Sequence, residues 1–155
     1  MNNIKLKSIE SKQLSIPGAK ISDMTISDSD ITSFFAAESV ISGLDISIKM
    51  TQKMNFFNSH INTCNIVSEK IDYLIMAISL IENGVIKGCG LNKVDFKASV
   101  FKNMTFRSVS FNGLVEIMDA DFKTVSFENC HQSKKATFVC DEKTELPENQ
   151  PIKCQ

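Results

Sequence analysis

Few residues of this chain are equipped for chemistry. Its 155 residues include two histidines, His60 and His131, and five cysteines, Cys64, Cys89, Cys130, Cys140 and Cys154. His131 with Cys130, Cys140 and Cys154 would make a soft ligand set for zinc, but the intervals between them follow none of the common zinc spacings. Small apolar side chains closing the end of a fold are the better reading of Cys130 and Cys140. A Cys–His nucleophile pair needs both side chains in hydrogen-bond reach beside a substrate cleft. Cys64 and His60 instead fall on opposite sides of the repeat described below. Asp28 and Asp30 come nearest to paired carboxylates, and acid–base work would need a desolvated pocket to tune them. There is no phosphate-binding glycine loop, because Gly88–Cys89–Gly90 occupies ordinary repeat positions. The sequence names no catalytic residue, no metal ligand and no cofactor.

The elements that must carry these residues follow a period of five. Positions Ile16, Ile21, Ile26 and every fifth residue onward to Phe106 and Phe111 are apolar, with Thr51 the one break. With 43% of the chain hydrophobic, chance would fill fewer than half of these positions. Five matches neither the 3.6 of a helix nor the 2.0 of a strand, and a fixed short period marks a repeat architecture. Two residues before each apolar centre lies a second regular position, mostly small or apolar, where Lys49 and Glu69 are the charged exceptions. The other three positions are mostly Ser, Asn, Asp, Lys, Thr and Gly. Each unit therefore has a large inward centre, a smaller inward neighbour and three outward residues.

This pattern resembles the pentapeptide-repeat family. The clearest units are SVFKN from Ser99, MTFRS from Met104, VSFNG from Val109, ADFKT from Ala120 and VSFEN from Val125. The resemblance spans roughly Leu14 to Cys130. It implies an all-β fold, a right-handed quadrilateral β-helix with four pentapeptides per coil and about six coils. The chain departs from the family by using Ile where Leu or Phe is usual. Residues twenty apart should then stack, so that Ile21, Ile41, Ile61, Ile81 and Phe101 form one ladder and Ile26, Ile46, Ile66, Ile86 and Phe106 another. After Phe111 the phase moves by one residue, to Ile117, Phe122 and Phe127, which predicts a bulge near Val115. Residues 1–155 read as one domain. Met1 to Gln13 is expected to be a looser N-terminal cover, 14–130 the β-helix, and 131–155 a C-terminal cap and tail. Within that tail ATFVCDEKTELPENQ is the closing segment, with Phe138 over the open end; an uncapped coil would expose unpaired backbone.

Bulk properties narrow the class further. The formal net charge is −1, from 17 basic and 18 acidic residues, so no charge excess drives the chain to nucleic acid or an anionic membrane. An odd number of scattered cysteines predicts reduced thiols in a cytoplasmic protein. The start has no signal-peptide core, and no stretch reaches the ~18 apolar residues of a membrane span. Export without a signal leaves no such mark, so secretion stays open.

What remains is the outward surface. Sorted by face, Phe35, Phe57, Ile75 and Ile78, with the adjoining edge Val40, His60, Leu80 and Val100, should form an exposed apolar stripe, a common mark of an interface. The early coils carry Asp23, Asp28, Asp30, Glu38 and Asp45 with no base between Lys20 and Lys49; the later ones carry Lys87, Lys93, Lys97, Lys102 and Arg107. The resemblance brings in the family's DNA mimics that bind DNA gyrase, but mimicry requires negative charge along most of the rod. The expected function is a non-enzymatic protein-interaction module that binds a protein partner or a second copy through the apolar stripe. No direct nucleic-acid, membrane or small-molecule partner is expected. The alternatives are a DNA mimic directed at gyrase or another DNA-binding enzyme, and a bacterial effector or immunity-type protein.

Overall fold

The computed structural model describes residues 3–148 and 153–155. The fold is all-β, a solenoid of about seven turns whose strands stack in parallel. Register is twenty residues per turn through most of the chain: strand Met24–Phe35 lies on Leu44–Asn55, which lies on His60–Ile75, which lies on both Leu80–Lys87 and Gly90–Asp95. Both expected ladders form, with Ile41 on Ile61 on Ile81 and Ile46 on Ile66 on Ile86. Every centre from Ile21 to Phe111 is at most 4% exposed. Thr51, the polar centre, is also buried and donates its hydroxyl to the Thr32 carbonyl at 3.0 Å. The core changes character along the axis. Isoleucines fill the early turns, whereas Phe96, Phe101, Phe106, Phe111, Phe122 and Phe127 pack ring against ring later on, with Phe101 and Phe122 stacked at 4.7 Å.

One corner shows why a small inward neighbour is needed. Ser39, Ser59, Ser79 and Ser99 are buried on successive turns. The backbone N–H of Ser59 donates to Ser79 Oγ at 3.0 Å, and Ser79 Oγ donates to the Phe56 carbonyl at 2.7 Å. The same pair of bonds recurs at Ser39 and Ser59. Each hydroxyl thus satisfies a donor and an acceptor that the turning backbone would leave buried and unpaired, a defect costing about 1–3 kcal/mol.

Three features differ from the sequence reading. First, the N-terminal segment is part of the solenoid, not a looser cover. Ile4–Lys7 and Glu10–Ser15 pair with Met24–Phe35 in the twenty-residue register, placing Leu6 on Ile26 and Leu14 on Phe34. Ser11, at a centre position, hides this turn from an apolar count; Met1 and Asn2 lie outside the described residues. The extra turn brings the total to about seven, not six. Second, Lys49 and Glu69 are exposed, and Ile48 and Ser68 take their inward places. A one-residue slip at Ser29–Ile48 achieves this and spares the core two charges. Third, Cys140 and Cys154 form a disulfide, with Cα atoms 5.7 Å apart, so the expectation of five reduced thiols fails.

The one-residue shift after Phe111 is present. Phe111 still pairs with Leu91, but Val115 pairs with Val94. The extra residue falls at 112–114, where a Cβ on Gly113 would lie 2.0 Å from the Asn92 carbonyl oxygen. Phe138 is fully buried, stacked on Val115 and edge-on to the Phe111 ring at 5.1 Å, and its backbone bridges to Cys154 on the far side. Asn149 and Gln150 of the closing segment lie outside the described residues.

Candidate interaction surface

A second column of residues, on the outside of the serine corner, turns the chain from one side of the solenoid to the next. Gly18, Glu38, Asn58, Ile78, Ala98 and Asp119 stand there with φ of +64°, +59°, +53°, +57°, +53° and +57°. Inter-turn hydrogen bonds fix this geometry whatever the side chain: the Asn58 N–H donates to the Ala77 carbonyl and the Ile78 N–H to the Lys97 carbonyl, both at 2.9 Å. Glycine and asparagine suit left-handed backbone, whereas a β-branched residue there is an outlier. Ile78 bears that cost although its side chain is 53% exposed, so burial does not repay it. Thr63, exposed with φ +62°, is the other β-branched residue in such backbone among the described residues; it is polar, so of the two only Ile78 adds exposed apolar surface.

Around Ile78 the predicted stripe is narrower than expected. Val40, at 44%, and Phe57, at 38%, are the other large apolar side chains well exposed on this corner. Leu80 and Val100 are half-buried and continue the ladder Val40–His60–Leu80–Val100. Ile75 is buried: it lies between Asn55 and Asp95 in its own ladder and offers no free surface. Phe35 is half-buried, and the Lys53 ammonium sits 5.4 Å from its ring centroid, which covers part of the face that a partner would use. His60 is exposed and borders the stripe, its Nε2 3.0 Å from Glu82, which also faces Lys102 Nζ at 3.6 Å. The His60 hydrogen bond, and then the Lys102 charge, hold the Glu82 carboxyl below its ordinary range. The corner is thus an apolar ridge with a polar rim on one side.

The acidic residues do not form an uninterrupted track. Asp23, Asp28, Asp30, Glu38 and Asp45 are all exposed. The first turn, however, lays Lys5 beside Thr25 and Lys7 beside Ser27, and Lys7 Nζ comes within 3.7 Å of Asp28. Lys20 joins the same early turns beside Val40. Asp45 accepts the Asn65 amide at 2.8 Å.

The chemistry-bearing residues stay apart. Cys64 is fully buried, and burial pushes its thiol up to about 12; Cys89 is pushed up to about 12 in the same way. Neither is a nucleophile at neutral pH. Cys130 is half-buried and donates to the Phe106 carbonyl at 3.1 Å. His131 reaches Ser110 Oγ at 3.4 Å, and the groove holding Cys130 and His131 is open and does not include Cys140. Among the described residues no group of three or more His, Cys, Asp or Glu side chains could hold a metal ion, and no helix is long and apolar enough to cross a membrane.

Sequence reasoning missed three surface features, two of them exposed and the third, Tyr73, half-buried. Met50 is 54% exposed beside the slip at Ile48, and Leu114 is 37% exposed at the bulge. Tyr73 lies between two lysines, with Lys93 Nζ 4.6 Å and Lys53 Nζ 5.6 Å from its ring. The strain at Ile78 did have a sequence signal: Gly18 and Asn58 stand sixty and twenty residues before it in the same column. The chain matches no protein-family model, no curated protein and no solved structure.

Proposed function

We propose that this protein is a non-enzymatic interaction module of the pentapeptide-repeat kind, docking a protein partner through the ridge of Val40, Phe57 and Ile78 with Leu80 and Val100 behind it. The observation that carries the reading is Ile78, a β-branched residue kept exposed in left-handed backbone where an asparagine would be easier. A rigid solenoid loses little conformational entropy on docking, so a small apolar ridge can contribute usefully to affinity. The competing DNA-mimic reading rests on the acidic residues alone, and the lysines of the first turn count against it.

The test uses Ile78→Asn and Phe57→Asp in the full chain. Affinity capture from host lysate with the wild type identifies the partner, and sedimentation measures self-association. Both variants are expected to keep the wild-type circular dichroism spectrum and to lose capture or self-association at least tenfold, a typical interface anchor being worth about 2 kcal/mol. Retention of every wild-type partner and of the wild-type sedimentation coefficient in both variants would remove the proposal. A gyrase supercoiling assay addresses the competing reading, which requires inhibition or protection that the ridge variants leave intact.

A further inference from the structure

We propose that the C-terminal cap is a covalently latched strap that opens on reduction of the Cys140–Cys154 disulfide. Strand Thr137–Val139 is paired along one side with Leu114–Glu116. On its other side the residues 153–155 close it: Phe138 bridges to Cys154, the Gln155 N–H donates to the Phe138 carbonyl at 2.9 Å, and the Lys153 N–H donates to Gln132 Oε1 at 3.3 Å. The described residues 153–155 are all exposed, and the two hydrogen bonds just named are weak support for an edge by themselves. What keeps them in place is the bond to Cys140, fourteen residues away in sequence, which holds the strap at high local concentration.

The latch is placed to be opened. Cys154 is exposed and Cys140 is half-buried, so a dithiol can reach the bond from solvent. One thiolate of the dithiol attacks a sulfur of the pair, and the S–S bond breaks. The second thiolate then displaces the mixed disulfide. The dithiol leaves as its cyclic disulfide, and Cys140 and Cys154 each carry one proton away as thiols. Cys64 and Cys89 take no part, because both are sealed in the core. Release of the strap frees the outer edge of Thr137–Val139 and uncovers Phe138, which is fully buried in the latched form. A free edge of a parallel sheet is the part of a solenoid that a cap normally protects.

Residue-resolved hydrogen exchange on the full chain, with and without dithiothreitol, tests this. On reduction the Lys153 and Gln155 amides are expected to exchange roughly a hundredfold faster, the factor that closing a loop of this length supplies. Amides of Leu44–Asn55 and His60–Ile75 should be unchanged, and Cys154→Ser without reductant should reproduce the reduced pattern. Unfolded without reductant, the wild type should titrate three thiols, and five after reduction. Protection of Gln155 that survives in the reduced protein and in Cys154→Ser would overturn the latch. So would five thiols before reduction, or loss of protection through all turns at once.

Discussion

Replacing Ile78 by asparagine should leave the solenoid as stable as the wild type or make it more so. An L-residue in the left-handed region costs about 1–2 kcal/mol, and a β-branched one lies at the upper end. Asparagine tolerates that region. Against this gain stands the burial that is lost. Ile78 is 53% exposed, so roughly half of the about 1.5–3 kcal/mol for a fully buried side chain is forfeited, near 1 kcal/mol. The sum lies between zero and about 1 kcal/mol of stabilisation. Val40→Asn is the matched control: Val40 is 44% exposed and stands in a strand with ordinary backbone. It loses similar burial and gains a poor strand former with no relief of strain, a loss of about 1–2 kcal/mol. Thermal unfolding followed by circular dichroism should separate the two variants by several degrees, at about 2–4 °C per kcal/mol for a chain of this size. Gly18→Ala gives the mirror image. Its φ is +64° and an added Cβ meets nothing within 4 Å, so its loss, about 1 kcal/mol, would be backbone strain alone. If Ile78→Asn falls as far as Val40→Asn, the left-handed backbone at this corner carries no cost, and the argument from strain to function is refuted.

Three other perturbations follow from the geometry. Gly84→Ala would set a Cβ 1.9 Å from the Cys64 carbonyl oxygen, a backbone atom that cannot yield, and should cost about 3 kcal/mol or more in urea unfolding; a wild-type midpoint would show that the turns separate easily. Ser79→Ala strands the Ser59 N–H and removes a donor to the Phe56 carbonyl, so equilibrium unfolding should register a loss of about 1–3 kcal/mol, and an unchanged midpoint would deny the serine ladder its role. Glu82 has its folded pKa depressed below the ordinary 4.5 by His60 and Lys102, so its contribution is present above that value and lost as pH falls through the folded pKa. The stability gap between wild type and Glu82→Gln should therefore shrink between pH 7 and pH 3, and a constant gap would sink the assignment.

Much of this architecture is legible in the sequence because the solenoid is local in its logic. A centre every five residues and a turn of twenty place Ile46, Ile66 and Ile86 in one ladder with no knowledge of anything distant. The shift after Phe111 is readable for the same reason. The first turn was hidden because Ser11 sits at a centre and the count depends on apolar residues; its strands are held by hydrogen bonds that no hydropathy pattern records. Lys49 and Glu69 misled in the other direction. The five-residue phase assigns them inward, and only the slip at Ile48 shows how the backbone avoids burying them.

The candidate surface divides along the same line. That Phe57, Ile78, Val40 and Leu80 fall at outward positions is fixed by periodicity alone, since the period decides which side of the wall a side chain leaves. How much of each stays in water depends on its neighbours one turn above and below. Ile75 is therefore closed off between Asn55 and Asp95, while Ile78 stands free. The left-handed backbone of Ile78 comes from hydrogen bonds between turns, not from its own preference. The disulfide lay beyond the sequence altogether, because five cysteines say nothing about which two meet, and Cys140 meets Cys154 only when the last turn folds the tail back over Phe138.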